Sequence, residues 1–247
     1  MLGYARGLLG GVDVISEGRR IDIFRKLIKP HYPKYELLSA SAREAIITPY
    51  LRDHLEPLGL TKIRPRTWAD GSSRPARRMF ELILLKGASM RARWGFSLNF
   101  VPHLSGGRVR WHRSEKTAML DVIIDPCDKA LLEPSFIHGA EKLYADLKEL
   151  LPPAVERAKE AWRRGATERG LLDLVQEIRT RNTNCFPFQS YTQLPLTYAF
   201  LSAKFGDLTS AEHELDCYLS RSKLENEAAG VPKNLVRKYA SSGKSTE

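Results

Sequence analysis

The chain has little cysteine and no long hydrophobic run, and both absences restrict what it can be. Its three cysteines, Cys127, Cys185 and Cys217, lie far apart. No pair has the close spacing of metal ligands, and an odd count argues against a disulfide framework. No stretch approaches the roughly 18 apolar residues of a membrane span. The start, residues 1–9, is too short and Gly-rich for a signal peptide, and Asp13 follows soon after. We therefore expect a cytoplasmic protein with no membrane partner.

Patterns for catalysis are also scarce. The six histidines never form an HxxxH or HxH pair, so the sequence predicts no metal and no cofactor. The end of the chain, 243–246, imitates a phosphate-binding loop but lacks the earlier glycine. Asp121, Asp125 and His112 are the residues on which an enzyme acting on a phosphorylated or nucleic-acid substrate would depend. That alternative stays open, and the sequence favours a protein without catalytic residues.

What the chain does have is positive charge and enough apolar residues for a core. It contains 39 Lys and Arg against 29 Asp and Glu, a net charge of +10, with 43% hydrophobic residues in 247. That composition is typical of one large or two small folded domains. A basic balance favours an anionic partner, either nucleic acid or acidic protein, although solvated Lys and Arg would give the same count.

Alternation of residue types predicts an antiparallel sheet in the first half. Residues 93–100 place Trp94, Phe96, Leu98 and Phe100 on one face and small or polar residues on the other. The pattern predicts an α+β fold, with a four- to five-stranded antiparallel meander that is covered by helices and followed by a helical C-terminal segment. The expected strands are 62–68, 78–86, 91–101, 108–113 and 118–125.

Capping signals and apolar periodicity predict the helices. Ser41 and Glu44 match a capping box, and Gly59 follows the apolar stripe of a helix over 43–58. Pro152 and Pro153 are expected to end one helix and open another, and two more helices are expected at 195–205 and 209–222. We expect an N-terminal arm (1–40), a sheet domain (41–150), a helical segment (151–239) and a disordered tail (240–247).

Two parts of the chain resemble known families. The order of helix, Leu58-Gly59-Leu60, Trp68 and meander over 41–125 resembles a bacterial family of small α+β proteins of unknown function. This resemblance implies a fold and no catalytic residues. The stretch 196–219, with its Gly206-Asp207 turn, resembles a single tetratricopeptide hairpin, which implies a protein partner for the C-terminal helices. A plain helical hairpin that packs on its own domain is the alternative, because repeat arrays need about three units.

Arginines on the polar face of the predicted meander are the candidate functional site. If the strand over 91–101 pairs with the strand over 108–113, their polar sides share one face. Guanidinium groups beside small polar residues suit phosphate oxygens. The predicted anion-binding residues are Arg91, Arg93, Asn99, Arg108, Arg110 and His112, with Arg77 and Arg78 as an extension.

The charge pattern indicates a non-enzymatic binding protein, and nucleic acid is the first candidate partner. The alternative is a protein–protein accessory, such as an immunity or defence-associated subunit, with the positive charge serving an acidic protein. A further basic run, 156–164, has acidic residues at three- and four-residue spacing and is interpreted as an exposed helix with internal salt bridges.

Overall fold

The structure is a computed structural model that describes residues 37–71, 73–85, 90–105, 108–111, 114–124, 139–181, 193–222 and 226–243. All of these belong to one compact unit, Glu36–Glu247. The predicted N-terminal arm lies outside the described residues, apart from its last four positions. His112, Asp125, Cys127, Cys185 and residues 244–247 also lie outside them.

The described chain forms six α-helices, one 3-10 turn and seven short or medium strands. The helices are α1 (Ala40–Leu55), α2 (Gly139–Arg164), α3 (Glu168–Arg181), α4 (Leu194–Lys204), α5 (Leu208–Ser222) and α6 (Asn226–Gly243). The 3-10 turn is Glu56–Leu58. The strands are β1 (Thr61–Arg64), β2 (Thr67–Ala69), β3 (Ala76–Leu84), β4 (Met90–Leu98), β5 (His103–Ser105), β6 (Arg108–Arg110) and β7 (Val122–Ile124). No described helix combines the length and the apolar character that crossing a bilayer requires.

Five strands form one antiparallel sheet in the order β1-β2-β3-β4-β7. Strands β3 and β4 pair along their whole length, from Ala76 opposite Leu98 to Leu84 opposite Met90. The α+β class, the antiparallel sheet and the helical C-terminal segment are therefore confirmed. The predicted strand 62–68 is instead two strands, because the chain turns at Pro65 and at Arg66, whose φ is 58°.

The predicted pairing of the third strand with the second is wrong. Strands β5 and β6 form a separate two-stranded hairpin, and β7 takes the place beside β4. Two residues explain this. Pro102 has no N–H to donate to a ladder, and β4 ends at Leu98 before it. Gly95 lets β7 approach closely, because a Cβ there would lie 1.8 Å from the carbonyl oxygen of Val122.

One face of the sheet carries the main core. Its aromatic side chains lie at most 2% exposed, with Phe80 and Trp94 stacked at 6.2 Å between ring centroids. They pack in one cluster with buried side chains of α1 and α2. The indole Nε1–H of Trp162 donates to the Gly95 carbonyl at 3.1 Å, which ties the end of α2 to β4. Alternation along 90–98 thus predicts this face correctly.

Strand alternation alone predicts that the opposite face is exposed along its whole length. In the structure, part of this face is covered. Residues 114–120 cross one end of it, and Ala118 forms a small second core with Ala69 and Met79. Gly95 and Ser97, both on this face, are buried. A polar residue in an alternating strand is therefore not always exposed, because a later segment of the chain can cover it.

Helix α2 runs through Pro152 and Pro153, so the predicted helix break is wrong. The two prolines remove the bonds to the carbonyls of Lys148 and Glu149, which are exposed residues. Because water can hydrogen-bond to those carbonyls, losing the two helical bonds costs little free energy. Burial of the helix's long apolar stripe stabilises it by more. The expected boundary at residue 150 falls inside this helix, and the sheet and the helices share one core cluster.

The C-terminal helices surround α4. Eight residues of α4, among them Phe200, are buried, and the helix packs against α3, α5 and α6. The two predicted helices match α4 and α5 closely, and their hairpin packs on its own domain. Helix α6 continues to Gly243 with Ala240 buried, so a disordered tail that begins at residue 240 is wrong for its first four positions.

Candidate anion-binding surface

Positive charge is concentrated in one stretch of the chain. Residues 73–113 contain nine Lys and Arg and only Glu81 as an acidic residue, a net charge of +8 out of the chain's +10. This stretch covers β3 to β6 and contains all the predicted anion-binding residues. The structure separates those it describes into four groups, according to what surrounds each side chain.

Arg77 belongs to the interior and is wrongly predicted as a surface ligand. It is 0% exposed, and its Nη1 and Nη2 donate to the Ser114 carbonyl at 3.1 Å and the Ser97 hydroxyl at 3.3 Å. Burial lowers its pKa, and the nearby carboxylate of Asp121 opposes that shift. The segment that covers the second face of the sheet therefore encloses this guanidinium.

Asp121 is enclosed with Arg77. Its Oδ2 accepts the Leu98 backbone N–H at 2.6 Å, and its carbonyl accepts the Thr197 hydroxyl at 3.3 Å. Burial raises the pKa of Asp121 to about 8, against the smaller opposing effects of the Leu98 N–H and Arg77. A carboxyl group that is 3% exposed is not placed to meet a substrate. The other two residues of the enzyme alternative, Asp125 and His112, lie outside the described residues.

Arg78 is neutralised by a neighbouring carboxylate. Its Nε and Nη2 donate to the two carboxylate oxygens of Asp70 at 2.9 and 2.7 Å, and Nη2 also donates to the Leu58 carbonyl at 2.8 Å. The guanidinium lies 5.6 Å from the centre of the Trp162 ring. The hydrogen bond to Asp70 raises the pKa of Arg78 above its ordinary value, with burial opposing it. The side chain is fixed and only 28% exposed.

The arginines of β4 face an acidic residue of β3. Arg93 lies directly opposite Glu81 and forms an ion pair with it. Arg91 is half-buried opposite Ile83 on the same face. Asn99 uses its side-chain amide to donate to the Arg74 carbonyl at 2.8 Å, so it fixes a loop. This part of the predicted site has its own internal counterion.

Arg108 and Arg110 differ from the other arginines. Both are exposed on β6, and the side chain of neither forms an ion pair or a hydrogen bond with another described residue. Val109, between them, points the other way and packs against the main core. Arg110 lies opposite His103. Burial lowers the pKa of His103, and the positive charge of Arg110 lowers it further. The predicted set is therefore divided: these two arginines do not share a sheet with Arg91 and Arg93.

The structure also forms a cleft that the sequence did not predict. It has a volume of about 670 Å³ and lies between the start of β3 and the exposed side of α2. Arg74 and Arg78 line one side, and Glu156, Lys159, Glu160 and Arg163 line the other. The last four form the predicted salt bridges, Lys159 with Glu156 at 2.9 Å and Arg163 with Glu160 at 2.7 Å. Two basic clusters that are more than 80 residues apart in the sequence meet here. Only the long-range packing of the fold brings them together.

Comparison with protein-family models, with curated proteins and with solved structures finds no match to this chain. No function is therefore carried over from either resemblance noted in the sequence. Within the described ranges, no three His, Cys, Asp or Glu side chains come together as a metal site.

Proposed function

We propose that this is a non-enzymatic binding protein that holds nucleic acid through the β5–β6 hairpin. One observation supports this most: of the predicted arginines, Arg108 and Arg110 are exposed and have no ion pair among the described residues. Arg77, Arg78 and Arg93 instead serve carboxylates or carbonyls of the chain itself. A guanidinium that would have to leave its counterion to reach a phosphate contributes little to nucleic-acid binding, since its release would leave a carboxylate without a partner.

The hairpin's geometry suits a phosphate backbone. Side chains two residues apart on a strand lie about 7 Å apart on the same side. That separation is comparable to the spacing of successive phosphates along an extended nucleic acid strand, and each guanidinium fork can donate two hydrogen bonds to one phosphate. Val109 fixes the orientation of the strand because it packs on the core. A protein partner would need acidic residues at the same spacing, whereas every nucleic acid has it.

The binding is expected to ignore base sequence. The aromatic side chains of β4, Trp94 and Phe96, are at most 2% exposed and cannot stack on bases. The hairpin would instead bind phosphates, which position a nucleic acid without reading it. Affinity should therefore fall steeply with salt.

The test is fluorescence anisotropy with a labelled oligonucleotide of roughly 20 nucleotides, longer than common single-strand site sizes. Arg108→Gln with Arg110→Gln is compared with Arg52→Gln with Arg169→Gln, which removes the same charge from arginines paired with Asp53 and Asp173. We expect the hairpin variant to bind at least about tenfold more weakly, because two charged hydrogen-bond donors are removed, and the control to bind like wild type.

Two outcomes would reject the proposal. If wild type binds neither single-stranded nor duplex nucleic acid at low salt, nucleic acid is not the partner, and an acidic protein becomes the first alternative. If both variants lose affinity equally, binding depends on the net charge of the molecule and not on the hairpin.

A further inference from the structure

We propose that the cleft between α2 and the start of β3 binds a small carboxylate that carries an apolar body. The cleft is separate from the β5–β6 hairpin, and the proposal does not depend on nucleic-acid binding. Its volume of about 670 Å³ lies in the range of ordinary ligand pockets.

The first support is a guanidinium that is already held in place. Nε and Nη2 of Arg78 are occupied by Asp70 and the Leu58 carbonyl, and Trp162 lies against the group. Nη1 makes no hydrogen bond with any other described residue, so its two N–H groups remain available to a ligand. A donor that is already fixed loses little conformational entropy on binding.

The second support is Arg74. It is exposed at the cleft, and its guanidinium has no ion pair or hydrogen bond within the described part of the chain. Its position is set from the backbone, since its carbonyl accepts the Asn99 amide at 2.8 Å. Two guanidiniums that line one wall, one held by internal hydrogen bonds and one without them among the described residues, can bind a carboxylate from two sides.

The charge balance selects a singly charged anion. Arg74, Arg78, Lys159 and Arg163 line the cleft, and against these four cations stand Glu156 and Glu160 in the lining and Asp70 behind Arg78. One positive charge is left over. A carboxylate is a monoanion at neutral pH, whereas a phosphate monoester carries about 1.5 to 2 negative charges.

The apolar part of the lining accounts for the ligand's body. Leu58, Ala76 and Ala166 contribute small apolar surfaces, and Phe96 and Trp162 form the base. Gly165 is required for this shape, because a Cβ there would lie 2.5 Å from the ring of Phe96. An apolar base with a few convergent polar groups is the usual composition of a small-molecule site.

The test is a titration of the labelled wild-type protein with phenylacetate, followed by NMR at the indole N–H of Trp162, a residue of the cleft lining. This signal is assigned with Trp162→Phe. Phenylacetamide serves as the neutral ligand and phenyl phosphate as the more highly charged one. For a fragment of this size we expect a saturable shift with a roughly millimolar Kd, and no saturable shift with phenylacetamide. Arg74→Gln should weaken binding roughly tenfold. Ala166→Trp, at an exposed position, should abolish binding by filling the cleft.

The matched control is Arg108→Gln with Arg110→Gln, which should leave phenylacetate binding unchanged. Equal binding of phenylacetamide, or no saturable shift with phenylacetate, would overturn the proposal. Phenyl phosphate binding more tightly than phenylacetate would overturn the assignment of a carboxylate. Because the hairpin experiment uses other residues and another ligand, either proposal can fail without the other.

Discussion

At the scale of single residues, the role of each arginine follows from what lies opposite it. Three arginines of the paired strands β3 and β4 differ in this way. Arg77 is buried, Arg78 is held by Asp70, and Arg93 is paired with Glu81. Alternation predicts which face of a strand a side chain occupies. It does not predict whether a later segment, here 114–120, covers that face, nor which carboxylate is brought beside it.

The enclosed carboxyl of Asp121 should make stability depend on pH. Its pKa is raised from 3.8 to about 8 in the folded protein, so between these values the folded state binds a proton that the unfolded state has released. The free energy of unfolding should therefore fall as pH rises from about 4 to about 8, by at most about 1.4 kcal/mol per pH unit from this group.

Asp121→Asn should remove that contribution, since the amide cannot ionise and can still accept the Leu98 N–H. Urea unfolding at several pH values across this window measures it. The free energy of unfolding of Asp121→Asn should increase relative to that of wild type as pH rises. Glu115→Gln, at an exposed position, should show the same pH dependence as wild type. Parallel stability curves for Asp121→Asn and wild type would show that Asp121 is already ionised in the folded protein.

Gly95 should be intolerant of any side chain. Alanine there would bring its Cβ to 1.8 Å from the Val122 carbonyl oxygen, so β7 would have to separate from β4. We expect Gly95→Ala to lower the free energy of unfolding by about 3 kcal/mol or more. Gly71→Ala is the control, because nothing lies within 4 Å of its added Cβ. If both variants unfold at the same urea concentration, the close approach of β7 is wrong.

At the scale of elements, the sequence predicts helix bodies more accurately than helix ends. Helix α1 begins at a cap from Ser39, whose hydroxyl accepts the Ala42 N–H at 3.2 Å, and not at the predicted Ser41. Gly59 does take the expected positive φ, 82°, after the 3-10 turn. Ser39 and Ser41 both stand at the start of this helix, and either side chain can supply a cap, so the sequence alone gives the helix but not its first residue.

Helix α5 allows a direct test of its cap. The Asp207 carboxylate accepts the Ser210 backbone N–H at 3.0 Å, and the hydrogen bonds to Ser210 lower its pKa. Asp207→Ala should lower the free energy of unfolding by about 1 kcal/mol. Asp207→Asn should lower it much less, because asparagine caps a helix equally well. Chemical denaturation at neutral pH measures both. A larger loss for Thr209→Ala than for Asp207→Ala would assign the cap to Thr209.

Strand pairing is the part of the fold that the sequence could not supply. The periods of residues 78–84 and 91–98 predict the longest strands and their buried faces. The strand that pairs with β4 is determined by Gly95, which allows the close approach of β7, and by Pro102, which cannot continue the ladder. Glycine and proline each occur in several kinds of local structure, so the sequence does not show which one applies here. The candidate site depends on that pairing. The sequence therefore identifies its basic residues but wrongly assigns all of them to one shared face.

At the scale of the whole molecule, the net charge of +10 is unevenly distributed, and only part of it is exposed to a partner. Most of it lies in 73–113, and part of that is neutralised by Asp70 and Glu81 within the same compact unit. What remains for a partner is carried by few residues. Net charge alone would assign all the arginines to binding, whereas the hydrogen bonds and ion pairs divide them into structural arginines and exposed ones.

The most direct test of this division is the salt dependence of nucleic-acid affinity. The slope of log K against log salt should become shallower by about 0.7 for each phosphate that the protein no longer neutralises on single-stranded nucleic acid. We predict a decrease of about 1.4 in the magnitude of this slope for Arg108→Gln with Arg110→Gln, and no change for Arg93→Gln with Glu81→Gln, which conserves net charge. An unchanged slope for the hairpin variant, or a shallower slope for the Arg93 and Glu81 variant, would contradict the account.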